Sequence, residues 1–80
     1  MSTKYPYLDP SLTDSEVDTL FEVMPVGVPL TAYDAGVLLR HPVGQRTSQG
    51  ALALAALVRA DKVFPTEHPS GLKAWIKYGS

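Results

Sequence analysis

The chain has 80 residues, enough for one small domain with a modest hydrophobic core. It contains no cysteine, which excludes disulfide bonds and thiolate metal sites, and no apolar run approaches the roughly 18 residues of a membrane span. The first residues also lack the apolar stretch of a signal peptide. We therefore expect a cytoplasmic protein without a membrane partner.

The net charge of −1 conceals an uneven distribution along the chain. Residues 1–39 carry one basic and six acidic side chains, a net charge of −5, whereas residues 40–80 carry six basic and two acidic ones, a net charge of +4. This asymmetry predicts one acidic surface and one basic surface, and the basic surface suits a polyanionic partner.

Residues 1–12 are predicted to form an extended N-terminal arm, because Pro6 and Pro10 disfavour a helix. The tyrosines between them, Tyr5 and Tyr7, either lean on the core or belong to an arm that forms a homodimer. Residues 13–80 are predicted to form the single folded domain.

Two helices follow the arm. Thr13 and Glu16 match a capping box ahead of apolar residues at helical spacing, and Pro25 ends this first helix. Its acidic flank, formed by Asp14, Asp18 and Glu22, is expected to lie in solvent and away from any polyanion. After a connector with a predicted β-bridge (residues 26–30), Thr31 caps a second helix that ends at residues 40–41, before Pro42.

A tight turn at residues 42–46 precedes a third helix, which is predicted to begin between Gly44 and Ser48. One face of this helix is apolar, and the opposite face combines glutamines with small residues. The predicted buried positions are Ala51, Leu54, Ala55, Leu57 and Val58, and the predicted exposed ones are Gln45, Gln49, Ala53, Ala56 and Ala60. Such a small-residue face could approach another surface closely.

The periodicity changes to two after residue 62, which predicts a β-hairpin. Residues 63–64 form its first strand, residues 65–71 its loop and residues 72–78 its second strand. In the second strand Leu72, Ala74, Ile76 and Tyr78 should face the helices, with Lys73, Trp75 and Lys77 on the other side. Trp75 either stacks on a nucleic acid or covers the edge of the hairpin.

Three helices and a hairpin, with a tight turn before the third helix, resemble the winged helix-turn-helix superfamily over residues 13–78. The best local match runs from Leu30-Thr31 through Pro42-Val43-Gly44 and Thr47-Ser48 to Leu57-Val58. The run from Leu57 to Val63 resembles the passage from recognition helix to first wing strand. The resemblance implies an α+β fold, a three-helix winged helix-turn-helix with a C-terminal β-hairpin wing.

The resemblance also implies a DNA-binding transcriptional regulator of bacterial or phage type, with the third helix in the major groove of double-stranded DNA. Arginine, glutamine and hydroxyl side chains are suited to base edges, and lysines to phosphates. The candidate DNA-binding residues are therefore Arg40, Gln45, Arg46, Thr47, Ser48, Gln49, Lys73, Trp75 and Lys77. His41 is, with Arg40, a further candidate for a phosphate contact, and His68 is expected to lie close to the wing.

The alternative hypothesis is a winged-helix module that binds a protein, such as a phage-encoded inhibitor or a complex subunit, through the small-residue face. With so few cations, a DNA reader of this size would need a second copy or a partner to be specific. The sequence predicts no metal site or cofactor, because its two histidines stand alone. No nucleophile motif or phosphate loop is present, and we expect no enzymatic activity.

Overall fold

The computed structural model describes residues 4, 5 and 7–79 and has an α+β architecture. Three helices precede a two-stranded antiparallel sheet, which agrees with the coarse fold expected from the sequence. In chain order the elements are α1 (Asp14–Val23), α2 (Ala32–Leu38), a 3₁₀ turn (Val43–Gln45), α3 (Arg46–Arg59), β1 (Phe64–Glu67) and β2 (Lys73–Ile76).

The first two helices each begin with a threonine N-cap. The Thr13 hydroxyl accepts from the Glu16 amide at 3.1 Å, but the Glu16 carboxylate lies 3.4 Å from that hydroxyl instead of bonding the Thr13 amide. The complete reciprocal box is found at Thr31, whose hydroxyl accepts from the Asp34 amide while its own amide donates to the Asp34 carboxylate, both at 3.2 Å. Both N-caps were therefore predicted correctly. The reciprocal capping box, however, was predicted at Thr13 and is found at Thr31.

Two glycines bring α2 and α3 into backbone contact. A Cβ at Gly36 would overlap the backbone of Arg46, and a Cβ at Gly50 would overlap the carbonyl of Ala32. The helices therefore pack closely at the start of α3, which fixes that segment against α2 without intervening side chains.

The small-residue face of α3 is not exposed as predicted. Ala53 and Ala56 are 0% and 1% exposed, and Ala60 is half-buried. Both α1 and α2 pack against α3, so the helix buries a wider arc than a one-sided apolar stripe implies. Leu54 and Leu57 are buried as expected. The core also contains Val17, Leu20, Leu30, Ala35 and Val63.

The hairpin pairs Phe64 with Ile76 and Glu67 with Lys73. The first strand is longer than predicted: it continues through Pro65, which is tolerated because, in the described part of the chain, β1 pairs on one side only. Leu72 and Tyr78 are exposed, contrary to the predicted apolar face, and Tyr78 instead lies beside the Phe64 ring at 5.5 Å.

The connector between α1 and α2 forms the predicted bridge to the hairpin. Leu30 and Trp75 exchange two backbone hydrogen bonds of 2.8 Å, and Val26 bridges to Lys77 in parallel orientation. These bonds fix β2 beside the start of α2, and the core includes Ala74 at the centre of the strand.

The segment preceding α1 packs on the domain. Tyr5 is 1% exposed and Leu12 is also buried, whereas Tyr7 is 91% exposed. The Tyr5 hydroxyl donates to the Asp18 carboxylate at 2.5 Å, and Lys4 forms an ion pair with the same carboxylate at 2.8 Å. Tyr5 thus leans on the core, as one of the two interpretations of the arm expected. Pro6 lies outside the described residues, and dimerisation through the arm remains a prediction.

Within residues 4, 5 and 7–79, no helix combines the length and apolar character needed to cross a bilayer.

Candidate nucleic-acid interface

The turn between α2 and α3 is built by backbone bonds that close the end of α2. Helix α2 ends at Leu38, slightly before the predicted end at residues 40–41, because Arg40 adopts a left-handed conformation (φ +62°). The His41 amide then donates to the Gly36 carbonyl at 3.1 Å. This arrangement leaves the Arg40 side chain exposed at the turn, close in sequence to the start of α3.

The first residues of α3 are presented to solvent. Gln45, Thr47 and Ser48 are exposed, and the Ser48 hydroxyl donates to the Gln45 carbonyl at 3.2 Å. Gln49 differs from these residues, since it is half-buried and its side-chain oxygen accepts from the Ser11 hydroxyl at 3.1 Å. Of the glutamines predicted to contact bases, only Gln45 is thus fully exposed.

Arg46 is held in place by two neighbours. Its Nε donates to the His41 carbonyl at 3.2 Å and its Nη1 to the Tyr33 hydroxyl at 2.7 Å, with the guanidinium carbon 5.5 Å from the centre of the Tyr33 ring. These contacts fix the side chain between α2 and the turn, and they leave Nη2 without a hydrogen-bond partner among the described residues.

A cleft of about 270 Å³ joins the start of α3 to the hairpin. It brings Thr47 together with Lys73 and Trp75, three residues that the sequence placed on two separate elements. Four of its residues, Thr31, Ala32, Tyr33 and Leu72, were not among the predicted site residues, although Tyr33 lies off the apolar stripe of α2 and could have been noticed for that reason. We call it the Tyr33–Trp75 cleft; it is lined by Thr31, Ala32, Tyr33, Thr47, Leu72, Lys73 and Trp75.

Trp75 packs on the domain, as one of its two predicted roles required, and stacking on a nucleic acid stays a prediction. Its half-buried ring packs against the core and also lines the Tyr33–Trp75 cleft. The Lys73 ammonium lies 5.5 Å from the centre of that ring, a distance that permits a cation–π contact. The exposed lysine and the half-buried tryptophan thus form one wall of the cleft.

Lys77 is not brought to this cleft. Its ammonium donates to the Phe21 carbonyl at 2.5 Å and lies 4.3 Å from the centre of the Phe21 ring. The carbonyls in the last turn of a helix lack intrahelical partners and attract cations, so Lys77 acts as a cap of α1.

Two more cations of the C-terminal half turn towards the N-terminal half. Lys62 lies 5.2 Å from the centre of the Phe21 ring and 3.4 Å from the Tyr5 hydroxyl, and Arg59 donates to the Tyr7 carbonyl at 3.3 Å. With Lys77 these account for three of the six basic residues after position 39. The other three, Arg40, Arg46 and Lys73, lie at the turn, at the start of α3 and at the cleft.

One acidic group of α1, Asp18, has partners within the domain. Hydrogen bonds from Lys4 and Tyr5 hold the pKa of Asp18 below its usual range. Burial raises the pKa of Tyr5, and the hydrogen bond to Asp18 raises it further. Contacts within the domain therefore neutralise part of the charge asymmetry seen in the sequence.

The histidines lie apart from the cleft. The His41 ring is 3.5 Å from the Glu16 carboxylate, and His68 bonds Ser70 within the hairpin loop. Within the described ranges, no group of three or more histidine or acidic residues could hold a metal ion.

No protein-family model, curated protein or solved structure matches this chain. The candidate interface therefore rests on the geometry of the chain itself.

Proposed function

We propose that the protein is a winged-helix protein that binds double-stranded DNA and regulates transcription. The start of α3 would enter the major groove while the hairpin contacts the phosphate backbone. The observation that carries this proposal is the Tyr33–Trp75 cleft, where Thr47 of α3 and Lys73 and Trp75 of β2 share one surface. A reading helix and a wing must flank the same duplex, and this shared surface allows them to do so.

Exposed groups at the start of α3 supply the chemistry for reading bases. Gln45, Thr47 and Ser48 offer an amide and two hydroxyls, and Arg46 offers a guanidinium whose position is already fixed. A side chain that is held before binding loses less conformational entropy on contact. Arg46 is therefore the strongest candidate for a guanine or phosphate contact through Nη2.

The charge balance supports modest affinity for a single copy. Three cations, Arg40, Arg46 and Lys73, remain for phosphates once Arg59, Lys62 and Lys77 are assigned to contacts within the domain. Three phosphate contacts give a slope of about −2.7 in a plot of log affinity against log salt. Specific recognition would then require a homodimer or a partner protein.

The test is a titration of the protein with mixed-sequence duplex DNA, followed by the fluorescence of its single tryptophan at several salt concentrations. Lys73→Met should reduce the salt slope by about 0.9, whereas Arg59→Ala, a matched loss of a cation, should leave it unchanged. Absence of duplex binding at low salt, or equal slopes for the two variants, would contradict the proposal.

A protein-binding function is the second candidate, and one observation favours it. A groove of about 390 Å³ lies beside α2 and is lined by Pro25, Val28, Pro29, Leu30, Asp34, Val37, Leu38 and His68. Val28 and Val37 are exposed there, whereas the small-residue face first assigned to this role is buried. In a pull-down, Val37→Asp should abolish capture of a discrete partner and leave duplex binding unchanged.

A further inference from the structure

The Tyr33–Trp75 cleft has two aromatic walls, one from α2 and one from β2. Tyr33 is 43% exposed, so its ring remains accessible, and Trp75 is half-buried. Each ring has its own cation: the Arg46 guanidinium lies 5.5 Å from the Tyr33 ring centre, and the Lys73 ammonium 5.5 Å from the Trp75 ring centre. Contacts between α3 and the bases of a duplex do not require two aromatic rings that each have a cation beside them.

We propose that the cleft binds an unpaired base of single-stranded DNA, with a preference for thymine. Proteins bind single strands by stacking bases on aromatic side chains while cations follow the backbone, and this cleft combines both features. A paired base is held within the duplex stack and cannot enter between two protein walls. The inference goes beyond the duplex binding proposed above and shares only the surface with it.

The size of the cleft fits one base. Its volume of about 270 Å³ is just below the roughly 300–1,000 Å³ of pockets that hold drug-sized ligands. A single base would occupy it, with the flanking phosphates remaining outside.

Charge complementarity determines the class of occupant. Arg46 and Lys73 stand at the two aromatic walls, where the phosphates on either side of a bound base would pass. Two acidic groups lie nearby: the Asp34 carboxylate is bonded to the Thr31 amide, and Glu67 lies opposite Lys73 in the backbone register of the hairpin. Neither Arg46 nor Lys73 forms an ion pair among the described residues, so the cleft favours an anionic chain over a neutral aromatic compound.

The lining favours thymine and therefore DNA. Ala32 and Leu72 add aliphatic surface to the lining, and the Thr31 hydroxyl accepts a hydrogen bond from the Asp34 amide. A thymine methyl group gains from apolar contact, whereas uracil has no such group. Single-stranded DNA is thus the occupant that the lining selects over RNA.

The experiment compares the affinities of three oligonucleotides of about 15 nucleotides, measured by the fluorescence of Trp75. They are oligothymidylate, an abasic strand with the same phosphates, and oligouridylate. Oligothymidylate should quench Trp75 saturably, and the abasic strand should bind about tenfold more weakly because it lacks stacking. Oligouridylate should also bind more weakly. Equal affinity of the abasic strand would overturn the cleft as a base site, and equal affinity of oligouridylate would overturn the assignment to DNA.

Variants of Tyr33 link binding to the cleft. Tyr33→Leu should weaken oligothymidylate binding about tenfold, while Tyr33→Phe, which keeps the ring, should retain it. Tyr7→Leu removes a tyrosine that is exposed and does not line the cleft, and it should have no effect. Unchanged binding by a folded Tyr33→Leu variant would refute the proposal. Duplex binding without single-strand binding would refute this inference alone, and the reverse would refute only the proposed duplex function.

Discussion

The Lys77 ammonium donates a hydrogen bond of 2.5 Å to the backbone carbonyl of Phe21, connecting the residue that follows β2 to the end of α1. The lysine also lies over the Phe21 ring. The sequence predicted that Lys77 contacts DNA. In the structure this lysine instead stabilises the folded domain. The contact also shows why a net charge of +4 in residues 40–80 overstates the charge available for an external partner.

Lys77→Met should therefore lower stability and leave nucleic-acid affinity nearly unchanged. Methionine keeps the apolar stem over Phe21 but leaves the carbonyl unpaired, a loss of about 1 kcal/mol. In a domain of this size that corresponds to a fall of roughly 4–8 °C in Tm. Thermal denaturation followed by circular dichroism measures this effect.

Lys73→Met is the matched control for Lys77→Met, because Lys73 is exposed on β2, which Lys77 directly follows. It should change Tm by no more than about 2–4 °C, since exposed surface substitutions change stability by about 0.5 kcal/mol or less. It should weaken binding to duplex DNA. A larger loss of affinity in Lys77→Met than in Lys73→Met would contradict the assignment of Lys77 to α1.

Local signals in the sequence predicted the elements well. Thr13 and Thr31 both cap helices, Pro25 follows the end of α1, and the third helix begins within the predicted interval. These features depend on a few neighbouring residues and on proline and hydroxyl chemistry, so they can be inferred without tertiary information.

The incorrect predictions concern residues whose burial or partners depend on contacts between two elements. The burial of Ala53 depends on α3 packing against both other helices, which the periodicity of one helix does not encode. The contact of Tyr33 with Arg46 joins residues 13 positions apart and could not be found from spacing. Only Thr47, Lys73 and Trp75, among the predicted site residues, line the cleft together.

Gly50→Ala should destabilise the domain strongly, because the new methyl group would overlap the Ala32 carbonyl and force α2 and α3 apart. Overpacking of this kind costs at least about 2 kcal/mol, more than the gain in helix propensity. Urea denaturation would measure the free energy of unfolding.

Gly44→Ala provides the control for Gly50→Ala, since no atom lies within 4 Å of a Cβ placed there. It should change the free energy of unfolding by less than about 0.5 kcal/mol. Equal stability of the two variants would show that the backbones of α2 and α3 do not meet at Gly50.

The contact between Tyr5 and Asp18 predicts a dependence of stability on pH at both extremes. The folded chain lowers the pKa of Asp18, through its bonds to Lys4 and Tyr5, so this contribution is complete above about pH 4 and is lost as the pH falls further. Burial, together with the bond to Asp18, raises the pKa of Tyr5, so its contribution is complete below about pH 10 and is lost as the pH rises.

Asp18→Asn should reduce the loss of stability in acid, and Tyr5→Phe should reduce the loss in alkali. Both variants should be less stable than the parent at neutral pH, because Tyr5→Phe removes the donor of the hydrogen bond and Asp18→Asn removes the negative charge that Tyr5 and Lys4 contact. Unfolding midpoints in urea from pH 3 to 11 would measure these profiles. A parent and Asp18→Asn variant with parallel acid profiles would argue against a lowered pKa at Asp18.

Arg46→Ala should weaken duplex binding and relax base preference, because it removes the one guanidinium that is fixed at the start of α3. A hydrogen bond from a charged donor such as Nη2 contributes about 1.5–3 kcal/mol. Selection of bound sequences from a random duplex pool, with Kd values for the selected site, measures both effects. Arg59→Ala is the control, since this arginine bonds Tyr7 instead. If Arg46→Ala selected the same sequences as the parent with equal Kd, α3 would not read DNA through Arg46.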